Sequence, residues 1–190
     1  MTDNALIHIT DRLRKTTERS TLDELVNART RRSILLIDVS SSMGRSIAEQ
    51  SEAGLMRRID KLRLVVADLF STHPVPMVTF PGIQLVTAIP EPAGMTPLHA
   101  AIAFARLQEA NHIVVITDGE PDSPNAAFAE ADKFGGSIDV FYIGNGGDEG
   151  AKFCAELARR TGGQCGVTDL KGTPKQLSGK IVALLGDGGL

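Results

Sequence analysis

Short aliphatic runs ending in polar or glycine-containing loops recur along the chain, alternating with stretches where apolar residues return every three or four positions. Residues 33–39 form the first such run: four aliphatic residues, Ile34 to Ile37, lead into Asp38 and then into Ser40-Ser41-Ser42-Met43-Gly44. Beyond the Gly44 break, Ile59, Leu62, Val66, Leu69 and Phe70 predict an amphipathic helix running to about Phe70. His73-Pro74 stops it, because proline disfavours helical backbone at the residue before it. Residues 75–80 and 84–89 read as two brief strands joined through Pro81-Gly82, a turn signal that predicts an antiparallel hairpin. A proline-rich loop follows, then a helix over 97–110, with Pro97 tolerated in its first turn.

The second half repeats the alternation. Residues 112–117 are a buried strand that ends in Asp118-Gly119-Glu120-Pro121. Helices are predicted over 125–134 and 149–161, strands over 137–143 and 166–167, and a last helix from Thr173-Pro174 to Leu185. Strands alternating with crossover helices imply a mostly parallel sheet covered on both faces. The fold class is therefore α/β: a Rossmann-like doubly wound sheet with one antiparallel edge strand, in which ligands bind beyond the carboxyl ends of the strands. Residues 1–31 are expected to be a helical extension, with Thr21 as an N-cap and Glu24 completing a capping box. The α/β domain is expected over 32–186, followed by a flexible tail at 187–190.

Composition narrows the function classes. At 190 residues and 42% hydrophobic, the chain can bury one full core. A net charge of -3 argues against a phosphate-backbone binder, and a single Tyr with no Trp leaves no stacking platform for single-stranded nucleic acid. Residues 1–32 carry seven Lys/Arg against five Asp/Glu, whereas the remainder carries 13 against 18, an imbalance that fits a solvated helix face. Cys154 and Cys165 match no zinc spacing and are expected to be free thiols. No signal peptide is evident at Met1-Thr2-Asp3-Asn4, and no apolar run approaches a membrane span, so a cytoplasmic location without membrane contact is expected.

Three polar stations fall on the carboxyl rim of the predicted sheet. They are Asp38 with Ser40 and Ser42, Thr96 in Gly94-Met95-Thr96-Pro97-Leu98, and Asp118. If the strands 33–39 and 112–117 are neighbours, Asp38 and Asp118 come together, and two carboxylates beside three hydroxyls call for a cation. All-oxygen donors suit a hard ion such as Mg²⁺, which takes six at about 2.1 Å.

Asp38-x-Ser40-x-Ser42, Thr96 and Asp118 resemble, in order and context, the metal-ion-dependent adhesion site of von Willebrand factor A domains. The flanking Ser42-Met43, Thr96-Pro97-Leu98 and Thr117-Asp118-Gly119 are similar as well, and the resemblance covers residues 32–186. It implies that Ser40, Ser42 and Thr96 offer hydroxyl oxygens to Mg²⁺ or Mn²⁺, with Asp38 and Asp118 holding the ion largely through water. It further implies a protein partner whose Glu or Asp fills the remaining position, with Thr96 switching between direct and water-mediated contact. Intracellular, bacterial-type members of the family often act in multiprotein assemblies or beside AAA+ ATPases, so such a partner is the expectation here.

Enzymatic alternatives fit less well. An aspartyl-nucleophile phosphatase would use Asp38 with Mg²⁺, but its general acid two residues on is replaced by Ser40. A third reading is a structural subunit whose metal only stabilises the fold. No Gly-x-Ser-x-Gly elbow or phosphate loop is present. Gly144-Asn145-Gly146-Gly147 is similar to a dinucleotide fingerprint, but Glu149 stands where the third glycine belongs, and Asp148-Glu149 would repel a pyrophosphate. The histidines His8, His73, His99 and His112 show no paired helical spacing. Only His99, three residues past Thr96, and Glu120, beside Asp118, lie near the rim.

Overall fold

The computed structural model describes residues 32–51 and 54–186. The expected helical extension 1–31, with its Thr21–Glu24 capping box, and the tail 187–190 lie outside the described residues.

A six-stranded sheet forms the body of the domain. Its strands are β1 (Ser33–Asp38), β4 (Met77–Phe80), β5 (Gln84–Val86), β6 (His112–Thr117), β7 (Ser137–Ile143) and β8 (Cys165–Thr168), arranged β5-β4-β1-β6-β7-β8. All neighbours pair parallel except β4 and β5, so the single antiparallel strand sits at an edge. The chain winds outward in both directions from β1, and β1 and β6 are direct neighbours with Ile37 opposite Ile116. That boundary is where strand order reverses, the crevice position in doubly wound folds.

Period-two alternation sends the apolar side chains of β1 to both faces. Ile34 and Leu36 pack with Val115, Val140, Ile102 and Leu157, under helices α2 (Leu98–Leu107), α3 (Pro124–Lys133) and α4 (Glu149–Arg160). Leu35 and Ile37 pack on the other face against α1 (Arg58–Thr72) and α5 (Pro174–Leu185). Because both faces of β1 are covered, its aliphatic run is buried throughout. Thr173 caps α5 through a reciprocal box with Gln176, and Pro174 occupies the first turn where no intrahelical donor is lost.

Two expectations change. The segment after Gly44 is not one long helix: Ser46–Ser51 (β2) and Gly54–Arg57 (β3) form a separate antiparallel pair, and α1 begins only at Arg58. The reason is visible in the pattern, because the three- and four-spaced apolar set begins at Ile59, and Gly54 interrupts what precedes it. Strand β5 also stops at Val86, short of residue 89. Arg63 donates from Nε to the Ile89 carbonyl (3.2 Å) and from Nη2 to the Pro90 carbonyl (2.9 Å), so these carbonyls bond to α1 and not to a neighbouring strand. Among the described residues no helix is long and apolar enough to cross a membrane.

Candidate metal centre

β1 delivers Asp38 to the carboxyl rim, where its side chain is fully buried. Two donors meet it there. The Ser40 N–H donates to Oδ1 at 2.8 Å, and the Thr117 hydroxyl at the end of β6 donates to Oδ2 at 2.6 Å. Burial pushes the carboxyl up to about 6; the bonds from Ser40 and Thr117 oppose that shift, and the charge of Asp118 adds to it.

After Asp38 the chain makes one 3-10 turn, Ser41–Gly44, pinned by Met43 in the core. This turn separates the three serines by role. Ser40 Oγ lies 3.0 Å from Ser42 Oγ, and Ser42 Oγ donates to Asp118 Oδ1 at 2.6 Å. Ser41 points elsewhere: its N–H and hydroxyl both donate to the Gly94 carbonyl, each at 3.1 Å. Together with Ala93 N–H on the Val39 carbonyl (2.8 Å), this holds the Thr96 loop against the serine loop.

Thr96 itself is buried on that loop. Its N–H donates to Asp122 Oδ1 at 2.9 Å, and the Asp122 N–H donates back to the Thr96 carbonyl at 3.1 Å. The three stations are thus joined. Asp38, Ser40, Ser42 and Asp118 are linked by side-chain and backbone hydrogen bonds, while Thr96 is tied to them through its neighbours' backbone and through Asp122.

The sequence did not point to Arg58. Its guanidinium, at the first residue of α1, makes an ion pair with Asp118 Oδ2, whose side chain is wholly shielded from solvent. Thr117 and Asp122 were also missed as partners, although both flank the Asp118 motif. Glu120 is exposed. His99 is half-buried, and its Nδ1 finds no hydrogen-bond partner among the described residues.

A second constellation lies at the opposite end of the sheet. Ser33 Oγ is 2.8 Å from His112 Nδ1, and His112 Nε2 is 2.9 Å from Asp139 Oδ2. The residue types are those of a hydrolytic triad, but the imidazole is fully buried and Asp139 Oδ1 also accepts the Gln164 N–H at 2.6 Å. This line pins the starts of β1, β6 and β7 to the loop before β8. Both cysteines are free, and burial raises both thiols, so neither is a reactive thiolate. Among the described residues no cluster of three or more His, Cys, Asp or Glu side chains is placed to hold a metal.

No protein-family model matches the chain, and no curated protein matches it. Among solved structures, von Willebrand factor type A from Catenulispora acidiphila matches with a TM-score of 0.56 at 16% identity, over 82% of this chain and 42% of that one. The chain therefore spans less than half the length of that protein, and at this identity the likeness speaks for the fold alone. The strand order, the single antiparallel edge strand and helices on both faces agree with it: the chain folds as a von Willebrand factor A-like α/β domain.

Proposed function

We propose that the domain is a recognition module that binds a protein partner through a divalent cation at the rim formed by Asp38, Ser40, Ser42, Thr96 and Asp118. The observation that carries this reading is the Ser40–Ser42 oxygen separation of 3.0 Å beside two buried carboxylates. Adjacent oxygens of an octahedron with metal–oxygen bonds of about 2.1 Å lie about 3.0 Å apart, so this hydrogen-bonded pair of hydroxyls already has the spacing of two neighbouring ligands of Mg²⁺ or Mn²⁺. Ser40, Ser42 and Thr96 would supply neutral oxygens, while Asp38 and Asp118 would supply charge. A cation held mainly by neutral hydroxyls keeps residual positive charge and an open position, which suits a Glu or Asp side chain of the partner.

The environment of Asp38 supports recognition over phosphoryl transfer. Its two oxygens are engaged by Ser40 N–H and the Thr117 hydroxyl, and its side chain has no exposed surface from which to attack a phosphoester. Calorimetric titration of Mg²⁺ into the wild type and into Ser40→Ala/Ser42→Ala tests the site. The double variant is expected to stay folded and lose most of its Mg²⁺ affinity. Unchanged affinity would remove the assignment, and Mg²⁺-dependent turnover of phosphoesters lost in Asp38→Asn would replace recognition with hydrolysis.

A further inference from the structure

A cleft of about 840 Å³ is lined in part by Arg58, the partner of Asp118. Its walls come from the start of β2, the head of α1, the loops after β7 and β8, and α5. Arg58, Lys171 and Lys180 line it with positive charge, against the single carboxylate of Asp169. The excess is local, since the chain beyond residue 32 carries more acidic than basic residues. Among the described residues Lys180 has no ion-pair partner, and the Lys171–Asp169 pair (2.7 Å) is exposed on both sides and open to exchange. Arg58 is shared: it lines the cleft and pairs with Asp118, so one side chain links the cleft to the candidate metal centre.

The distribution of these charges says what they would hold. A phosphate would be expected at the N-terminus of α4, next to the glycine loop, but Asp148 already caps that terminus. Asp148 Oδ1 accepts from Ala151 N–H and from the Tyr142 hydroxyl, both at 2.8 Å, and places a negative charge there. The cleft walls carry no aromatic side chain for a base to stack on. The three cations instead sit on three separate elements, so they present separate points of positive charge, as several carboxylates along a peptide would need. Its volume also falls within the range of ligand clefts, about 300–1,000 Å³.

We infer that the cleft receives an acidic segment of the partner, continuing from the carboxylate held at the metal. This rests on the proposed metal-dependent recognition and specifies its partner: a chain with a run of acidic residues beside the one that meets the cation. Lys180 and Lys171 take the flanking carboxylates, and Arg58 stands at the junction between the two parts.

Fluorescence anisotropy of labelled hexaglutamate on the full chain, with hexaglutamine as control, tests the inference. In Mg²⁺ the acidic peptide is expected to bind more tightly than the glutamine peptide, with an affinity that falls as salt rises. Lys180→Glu should weaken it about fivefold or more, the scale of one or two exposed charge contacts, and Lys171→Gln/Lys180→Gln should act likewise. Calorimetric Mg²⁺ affinity of Lys180→Glu should equal that of the wild type.

If the lysine variants bind hexaglutamate as the wild type does while chelator still abolishes binding, the cleft is not the site and the metal reading stands. If the lysine variants lose binding but chelator and Ser40→Ala/Ser42→Ala do not, the cleft stands without the metal. Equal affinity for hexaglutamine overturns the inference. So does displacement of the peptide by inorganic phosphate at constant ionic strength, which would make the cleft a small-anion site.

Discussion

Removing the Arg58 guanidinium should destabilise the metal-free domain and tighten its grip on Mg²⁺. Asp118 is shielded completely and holds one hydrogen bond from Ser42 in addition to the ion pair, so Arg58→Gln leaves a buried carboxylate with its main counter-charge gone. Breaking a fully buried pair costs about 3–5 kcal/mol; because the Arg58 side chain is 23% exposed, water screens part of that, and roughly 2–3 kcal/mol is expected. In the wild type a cation arriving beside Asp118 must compete with the guanidinium, whereas in the variant it meets an uncompensated charge. The same 2–3 kcal/mol should therefore reappear as roughly 30- to 150-fold tighter Mg²⁺ binding. Urea unfolding in chelator measures the first quantity and calorimetric titration the second. Saturating Mg²⁺ should restore the variant to near wild-type stability by mass action. Weaker Mg²⁺ binding in Arg58→Gln would refute the reasoning, because it would mean that guanidinium and cation act together.

Three further outcomes follow from the same geometry. Asp38 has a folded-state pKa raised to about 6 against an ordinary value of 3.8, so in chelator its charge costs stability at neutral pH and that cost disappears as pH falls from about 6 to about 4. Asp38→Asn should accordingly be up to about 3 kcal/mol more stable than the wild type at pH 7, with the difference fading by pH 4 in paired urea titrations. A constant difference across that range would sink the assignment. Asp139→Ala leaves His112 Nε2 and the Gln164 N–H without this acceptor, and should lower unfolding free energy by about 2–3 kcal/mol without altering Mg²⁺ affinity. Gly150→Ala brings a methyl carbon within 2.7 Å of the Tyr142 hydroxyl oxygen, so the Tyr142–Asp148 bond must give way; a lowered melting temperature checks it, and an unchanged one would show that the ring can move.

What the sequence made legible was decided by local patterns that tertiary structure had no reason to override. The run Ile34 to Ile37 is buried on both faces because the strand is central, and a central parallel strand has to be aliphatic throughout. Its polar end was therefore identifiable as the rim, and the spacing of Asp38, Ser40 and Ser42 could be read as one side of a turn. His112–Thr117 and Ser137–Ile143 were bounded for the same reason. The β2–β3 pair was not legible: an isolated two-stranded ribbon owes its stability to its surroundings more than to its own residues. Phe70 was expected on the buried stripe of α1, yet it is only partly covered and Val65 is in the core instead, a shift along one helix face that spacing alone does not resolve.

The residues that control the site's charge were the hardest to see, and the reason is physical. Arg58 meets Asp118 across 60 positions, and Thr117 meets Asp38 across 79. No periodicity encodes such pairs; they exist because β1 and β6 are neighbours and because the hairpin returns the chain to the rim just as α1 begins. The consequence is functional. Ligand oxygens can be read from a motif, because they lie within a few residues of strand ends. The counter-charge that sets how readily a cation enters comes from wherever the fold places a guanidinium, here on the element the sequence described least well. Tuning of this site between related chains should therefore run through the β2–β3 hairpin and the head of α1, leaving Asp38, Ser40, Ser42, Thr96 and Asp118 untouched.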